Sequence, residues 1–288
     1  MDLTNAVLQG VLLGGLYAIF ATGLSLVFGV MRIVNLAHGD FATLAAFVAL
    51  VLVTGVGLPV WATLLVVVPV LALLGYAVQR LLLQRALSPS PLPVLLVTFA
   101  LSIVIQNGLL EVFSSDQNRL RLGRLDTASL HVGAFALGVY PLLVFVVAVL
   151  ILAGLALFLS RTRTGRAMRA TSDDREAAQL AGVDHRHVYG VATALAFATV
   201  AVAGVLSGAQ TSFTPSSGPS LLIFAFEVVI IGGLGNLWGS LAGGIVLGVA
   251  QNVGAWVDPA QQVLAGHLVF LLVLALRPQG LFGRAVPA

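Results

Sequence analysis

Apolar runs long enough to cross a bilayer recur from one end of the chain to the other. They fall at 5–30, 33–54, 60–81, 92–113, 139–160, 188–210, 220–234, 236–256 and 260–277. A hydrocarbon core of about 30 Å takes roughly 20 helical residues, and most of these runs have that length. None alternates with a period of two, as barrel strands do. The pattern predicts an all-α fold: a polytopic transmembrane helical bundle of eight to nine spans, in one domain covering 1–288. The run 220–234 is short, and Gly232-Gly233-Leu234-Gly235-Asn236 breaks it. The junction from Gly29 to Asp40 is too polar for a simple span. These two interruptions read either as discontinuous helices near the bilayer midplane or as tight turns at its surface.

One long polar stretch stands out, 161–187, with apolar spans on both sides. Thr171 to Asp174 fits a Ser/Thr-x-x-Asp/Glu capping pattern. Asp173, Asp174 and Glu176 would then lie in a first helical turn, where the helix dipole favours negative charge. Gly182 follows the last helical residue, where a left-handed backbone is cheap only for glycine. A short helix from Ser172 to Ala181 is expected, with Ala177, Leu180 and Ala181 as a small apolar face. Helix physics alone leaves it either a linker joining two spans or a grip for a soluble partner.

Composition narrows the chemistry. The chain is 59% apolar and 9% charged, where soluble domains carry roughly 25% charged residues. It has no cysteine, hence no disulfide and no thiol nucleophile. It has no lysine, so it cannot hold the Gly-Lys-Ser/Thr loop of a nucleotide-binding ATPase. The net charge of +3 comes from arginines at span edges, not from a nucleic-acid surface. Ser-hydrolase and zinc-protease motifs are absent, and Gly233-Leu234-Gly235 lacks the third glycine of a dinucleotide fingerprint because position 238 is Trp. His38 has no second His at ligand spacing, so no metal site is expected. No residue is assigned a catalytic role.

Arginine sets the orientation. Arg80 and Arg85 follow the third span, Arg161, Arg163, Arg166 and Arg169 the fifth, and Arg277 and Arg284 the last. The positive-inside rule puts these ends in the cytoplasm, and nine crossings leave the N-terminus outside, which suits Asp2. Arg119, Arg121 and Arg124 weigh the other way but are less dense. The first ten residues hold an acid and no base, so the first span is expected to be retained rather than cleaved as a signal.

Polar groups inside apolar runs are candidates for a translocation pathway. Glu227 is one, since a charge at mid-bilayer costs about 2.5–3.5 kcal/mol on insertion scales; it is either a pathway residue or a protonated acid bonded to a neighbouring helix. Asn35, His38 and Asp40 cluster at the second span's start, where Asn35 also reads as a cap. Asn236 opens a later span. Glycines four apart (Gly10 and Gly14, Gly204 and Gly208, Gly244 and Gly248) read as close helix packing.

Glu176-Ala177-Ala178 with Gly182 resembles the ATPase-contacting loop of ABC importer permeases. Longer stretches are more specific. Gly23 to Asp40, Thr164 to Arg169, Val229 to Gly248 and the closing Arg277 to Gly283 resemble branched-chain amino acid (LIV-type) ABC transporter permeases, while 114–139 carries no such signature. The resemblance implies a multi-pass inner-membrane subunit, not an enzyme, that moves branched-chain or similar amino acids inward. It implies a second, related permease subunit, two cytoplasmic ATPase subunits that bind the ATP, and an external substrate-binding protein. The chain itself would hold no cofactor. It further implies docking through Ser172, Asp173, Asp174, Arg175, Glu176, Ala177, Ala178 and Gly182. Urea, short amides and other small solutes stay open as cargo. An ion-coupled secondary transporter using Glu227, Asp40 and His38 stays open as mechanism.

Overall fold

The computed structural model describes residues 3–283 except 89, 127, 133 and 134. Asp2 and Arg284, used above for orientation, lie outside the described residues. The helices are α1 (Leu3–Met31), α2 (His38–Val56), α3 (Val60–Val78), α4 (Gln84–Ala86), α5 (Leu92–Phe113), α6 (Val139–Arg161), α7 (Arg163–Asp173), α8 (Arg175–Leu180), α9 (His185–Gln210), α10 (Gly218–Gly232), α11 (Leu237–Val257) and α12 (Gln262–Leu276). A π-helical turn, Gln79–Leu83, joins α3 to α4, so that Val60–Ala86 runs on as one rod. Among the described residues, eight helices are long and apolar enough to cross a membrane; α10 is shorter.

Two ends of the bundle can be told apart. At the basic end, Ser172 bonds the carbonyl of Gly29 late in α1, and Tyr76 late in α3 meets His187 early in α9. The segment after α12 returns there, with Leu281 N–H on the Ile231 carbonyl at the end of α10. At the hairpin end, Phe113 closes α5 against Phe47 of α2 at 4.5 Å between rings, and Leu120 N–H bonds the Gly208 carbonyl. Here too lies an antiparallel hairpin, β1 (Ser129–Val132) with β2 (Phe135–Gly138), in which Ser129 faces Gly138. A reading of apolar runs does not anticipate it. Trp238 and Trp256 mark the two ends of α11, 50% and 48% exposed. At 1.5 Å per residue they stand about 27 Å apart, close to the hydrocarbon thickness that interfacial tryptophans bracket.

Helices α1 and α9 form the buried centre, with most of their residues shielded, while α5, α6 and α12 are largely exposed around it. The central helices approach closely because small residues meet. A Cβ on Gly14 would stand 2.6 Å from the Gly244 carbonyl oxygen, and one on Gly10 2.8 Å from that of Gly248. The four-residue glycine spacing is thus spent on packing within the chain.

The two sequence interruptions differ in depth. After α1 the chain turns at Arg32 and climbs back inside, so that α2 starts level with Phe20, far from α1's end at Met31. Helix α10 also starts inside, where Gly218 meets Gly39 and Asp40. The break at Gly232 to Asn236 is instead a tight turn at the basic end, beside Gly29.

Candidate functional site

The polar stretch at the basic end folds as two short helices, not one. Thr162 caps α7, its hydroxyl accepting the Gly165 N–H at 2.9 Å. Gly165, Met168 and Thr171 recur on one buried face of α7. Met168 packs with Leu26, Leu155, Val188 and Ala192 from α1, α6 and α9. Ser172 then donates to the Gly29 carbonyl at 2.5 Å.

The expected cap is displaced. Thr171 lies inside α7 and donates back to the Ala167 carbonyl at 2.8 Å, while Ser172 and Asp173 finish that helix. Asp174 is extended and caps α8, its Oδ1 accepting the N–H groups of Glu176 at 2.9 Å and Ala177 at 3.0 Å. The helical start therefore moves from Ser172 to Arg175. The other end is as expected. Gly182 is left-handed at φ 85°; its N–H reaches the Gln179 carbonyl, and the Val183 N–H reaches that of Ala178. This paired closure is a Schellman motif.

Ala178 turns inward and is buried. Ala177, Leu180 and Ala181 face outward, and Leu180 is 92% exposed. A leucine so placed, outside any spanning helix, leaves apolar surface in water that a partner could cover. Arg175 and Gln179 both reach the His185 ring, at 3.1 and 2.8 Å. Asp184 caps α9 by accepting the Arg186 and His187 N–H groups. Its carboxyl is held below the usual range, chiefly by the His187 N–H, with Arg186 N–H and nearby Arg80 adding.

Asn35, His38 and Asp40 come together at the start of α2. Asn35 accepts the Ala37 N–H at 3.0 Å and so shapes the turn. The His38 ring donates from Nε2 to the Phe20 carbonyl at 3.0 Å. Asp40 is 1% exposed; its Oδ1 accepts from Gln106 at 2.9 Å, and Gln106 also bonds Ser102. Among the described residues Asp40 Oδ2 has no partner. A Cβ on Gly218 would strike Asp40 Oδ1 and one on Gly39 the Gly218 carbonyl. The carboxylate therefore lies where the N-termini of α2 and α10 converge, and both dipoles favour its negative charge.

Glu227 belongs to a different cluster. It pairs with the His267 ring of α12 and is 4% exposed. Beside it, Tyr17 donates to Gln251 at 2.6 Å, and Phe224 lies against both Tyr17 and His267. Asn236 lies at the basic end and caps α11 through the Gly239 N–H at 3.0 Å. Gln106, Ser102, His267 and the Ser172–Gly29 bond were not foreseen. Ser102 and Gln106, four apart in an otherwise apolar run, were the available signal.

Residues 6–276 match the family described as branched-chain amino acid transport system / permease component. The chain is 30% identical to the high-affinity branched-chain amino acid transport system permease protein BraD of Pseudomonas aeruginosa, covering 96% of this chain and 94% of that one. It is 26% identical to the corresponding permease protein LivH of Escherichia coli, with the same coverage. To the permease protein LivM of E. coli it is 25% identical over 94% of this chain and 69% of the relative.

Proposed function

The chain belongs to the branched-chain amino acid permease family of ABC transport systems, and from that premise we propose that it carries branched-chain or similar amino acids inward under power supplied by partner ATPases. The basic end faces the cytoplasm, in keeping with its arginines. Helix α8 docks on an ATPase subunit through Leu180, Ala177 and Ala181, with Ser172, Asp173, Asp174, Arg175, Glu176, Ala178 and Gly182 shaping the contact. The observation that carries this reading is the uncovered Leu180 at the tip of a helix capped at both ends. Covering it would contribute about 1.5–3 kcal/mol, more than exposed arginine pairs at about 0–1 kcal/mol each.

Motion at α8 has a short route inward. Helix α7 is bonded to α1 through Ser172 and Gly29, and from α1's end the chain passes Asn35 to His38 and Asp40. The junction of α2 with α10 is then the gate, with Asp40 and His38 as its polar groups. Glu227 with His267 forms a second candidate station, and Asn236 holds the turn beneath it. A second, related permease completes the passage, two ATPases bind the ATP, and an external binding protein delivers the solute.

The test is ATP-dependent uptake in proteoliposomes holding the assembled complex. Scrambling Asp173 to Gly182 should abolish uptake and ATPase co-purification while membrane insertion persists. Normal uptake by that variant would refute the docking role.

A further inference from the structure

The outward faces of the spanning helices differ in chemistry. On α6 short of its terminal Arg161, and on α12, the exposed large side chains are hydrocarbon, as at Leu150, Leu157, Leu268 and Leu272. The half of α5 nearer the basic end is the same, with Leu92 and Leu96 exposed. Toward the hairpin end α5 changes, and its exposed residues include Asn107, Gly108 and Glu111. Steps of three and four place Val104, Asn107, Gly108 and Glu111 on one helix face. A Cβ on Gly108 would meet nothing within 4 Å, so the face is hollow there.

A single Glu near a helix end would be an ordinary interfacial residue. Here polar groups continue inward. Asn107 lies one turn deeper than Glu111, about 6 Å at 1.5 Å per residue. Gln106 beside it is fixed by Ser102 and by Asp40 at the α2–α10 junction. Among the described residues no hydrogen bond or ion pair reaches the Glu111 carboxylate. Lipid cannot solvate that carboxylate or the free carbonyl of Asn107, whereas water in a passage can. A dry contact with another subunit would strip the carboxylate of water unless that subunit brought a cation to it.

We propose that the hairpin-end half of α5's outward face is one wall of the solute passage. Glu111 takes the ammonium group of an amino-acid solute, Asn107 donates to its carboxylate one turn further in through the Nδ2 hydrogen not used on the Ile103 carbonyl, and Val104 contacts its side chain. Gln106 is a positioning residue, held by Asp40 and Ser102. The proposal rests on the permease reading and goes beyond it by naming the wall and the groups that read a zwitterion.

The chain has no cysteine, so an introduced cysteine is the one thiol in this subunit, and labelling is read on this subunit after the complex is separated. The experiment places them at Val104, Asn107 and Glu111, with controls at Leu150 and Leu272. The assembled complex in vesicles is treated with a charged, membrane-impermeant thiol reagent. The three α5 positions should react and the controls should not. Reaction no faster than at the controls would assign the face to lipid and overturn the proposal. Shielding together with cross-linking to the second permease would assign it to a subunit contact and overturn it equally.

The second arm is Glu111→Gln at saturating, solute-loaded binding protein. Uptake should fall about tenfold, the scale of one charge-assisted contact. ATPase stimulation should persist and Glu111→Asp should restore uptake. Unchanged uptake by Glu111→Gln would remove Glu111 from the passage while leaving the permease reading intact. That reading fails separately, if the unaltered complex takes up no amino acid.

Discussion

The two long connections of the chain both carry several arginines, yet they are built differently. The one at the hairpin end, between α5 and α6, is mostly extended. It is tied down by backbone pairing, Asn118 with Phe213 and Leu120 with Gly208, by Arg119 Nε on the Ala209 carbonyl and by the buried Leu120 side chain, and then folds into a hairpin. The one at the basic end is helical, and Thr162, Asp174 and Asp184 each start a helix with a side-chain cap. It buries one face, ties itself to α1 through Ser172, and leaves Leu180 in the open. A connection that only has to stay in place can rely on extended pairing. One that passes a push needs stiff segments with satisfied ends and a bond into what it moves.

The largest effect that would sharpen this contrast is at Leu180. Leu180→Glu should abolish ATP-driven uptake, and Leu180→Ala should weaken ATPase co-purification by roughly ten- to a hundredfold, the worth of one buried leucine. Leu130→Asn, on the exposed hairpin, should leave co-purification unchanged; a loss there would break the contrast. Next is Ser172→Ala, which removes a hydrogen bond worth about 0.5–1.5 kcal/mol. ATP hydrolysis should continue while uptake falls several-fold, measured as solute moved per ATP. Asp174→Ala should destabilise α8 by about 1 kcal/mol, and Asp174→Asn much less, because Asn also caps. Protease nicking within Arg175 to Leu180 would report it.

The smallest effect is at Asp184. Its carboxyl is held below the ordinary range, so its contribution is present above that range and fades as pH falls through the folded-state value. Asp184→Ala should thus have a flat effect from about pH 5 to 8, fading in acid below about pH 4. Proteolysis at the start of α9 across that range would check it.

How much was legible follows from which forces act locally. The spans were readable because apolar length is a local property, and Gly182 because its left-handed turn depends on neighbours only a few residues away. The start of α8 was misplaced because Thr171 and Asp174 both satisfy a capping rule. The choice fell to the buried face of Gly165, Met168 and Thr171, which extends α7 through Asp173 by packing on α1, α6 and α9. Depth was not legible either. Nothing near Asn35 announces that His38 will bond Phe20, or that Gly39 will touch Gly218 far along the chain. Glu227 was visible as a buried acid, but its partner His267 comes from another helix.

The most direct test of the central claim is the fate of one cysteine placed at Leu180 in this cysteine-free chain. In intact cells an impermeant maleimide should leave it unmodified. In inverted vesicles it should react once the ATPase subunits are stripped away, and be shielded when they are returned. Modification from outside the cell, or equal reactivity with and without the ATPases, would contradict the account.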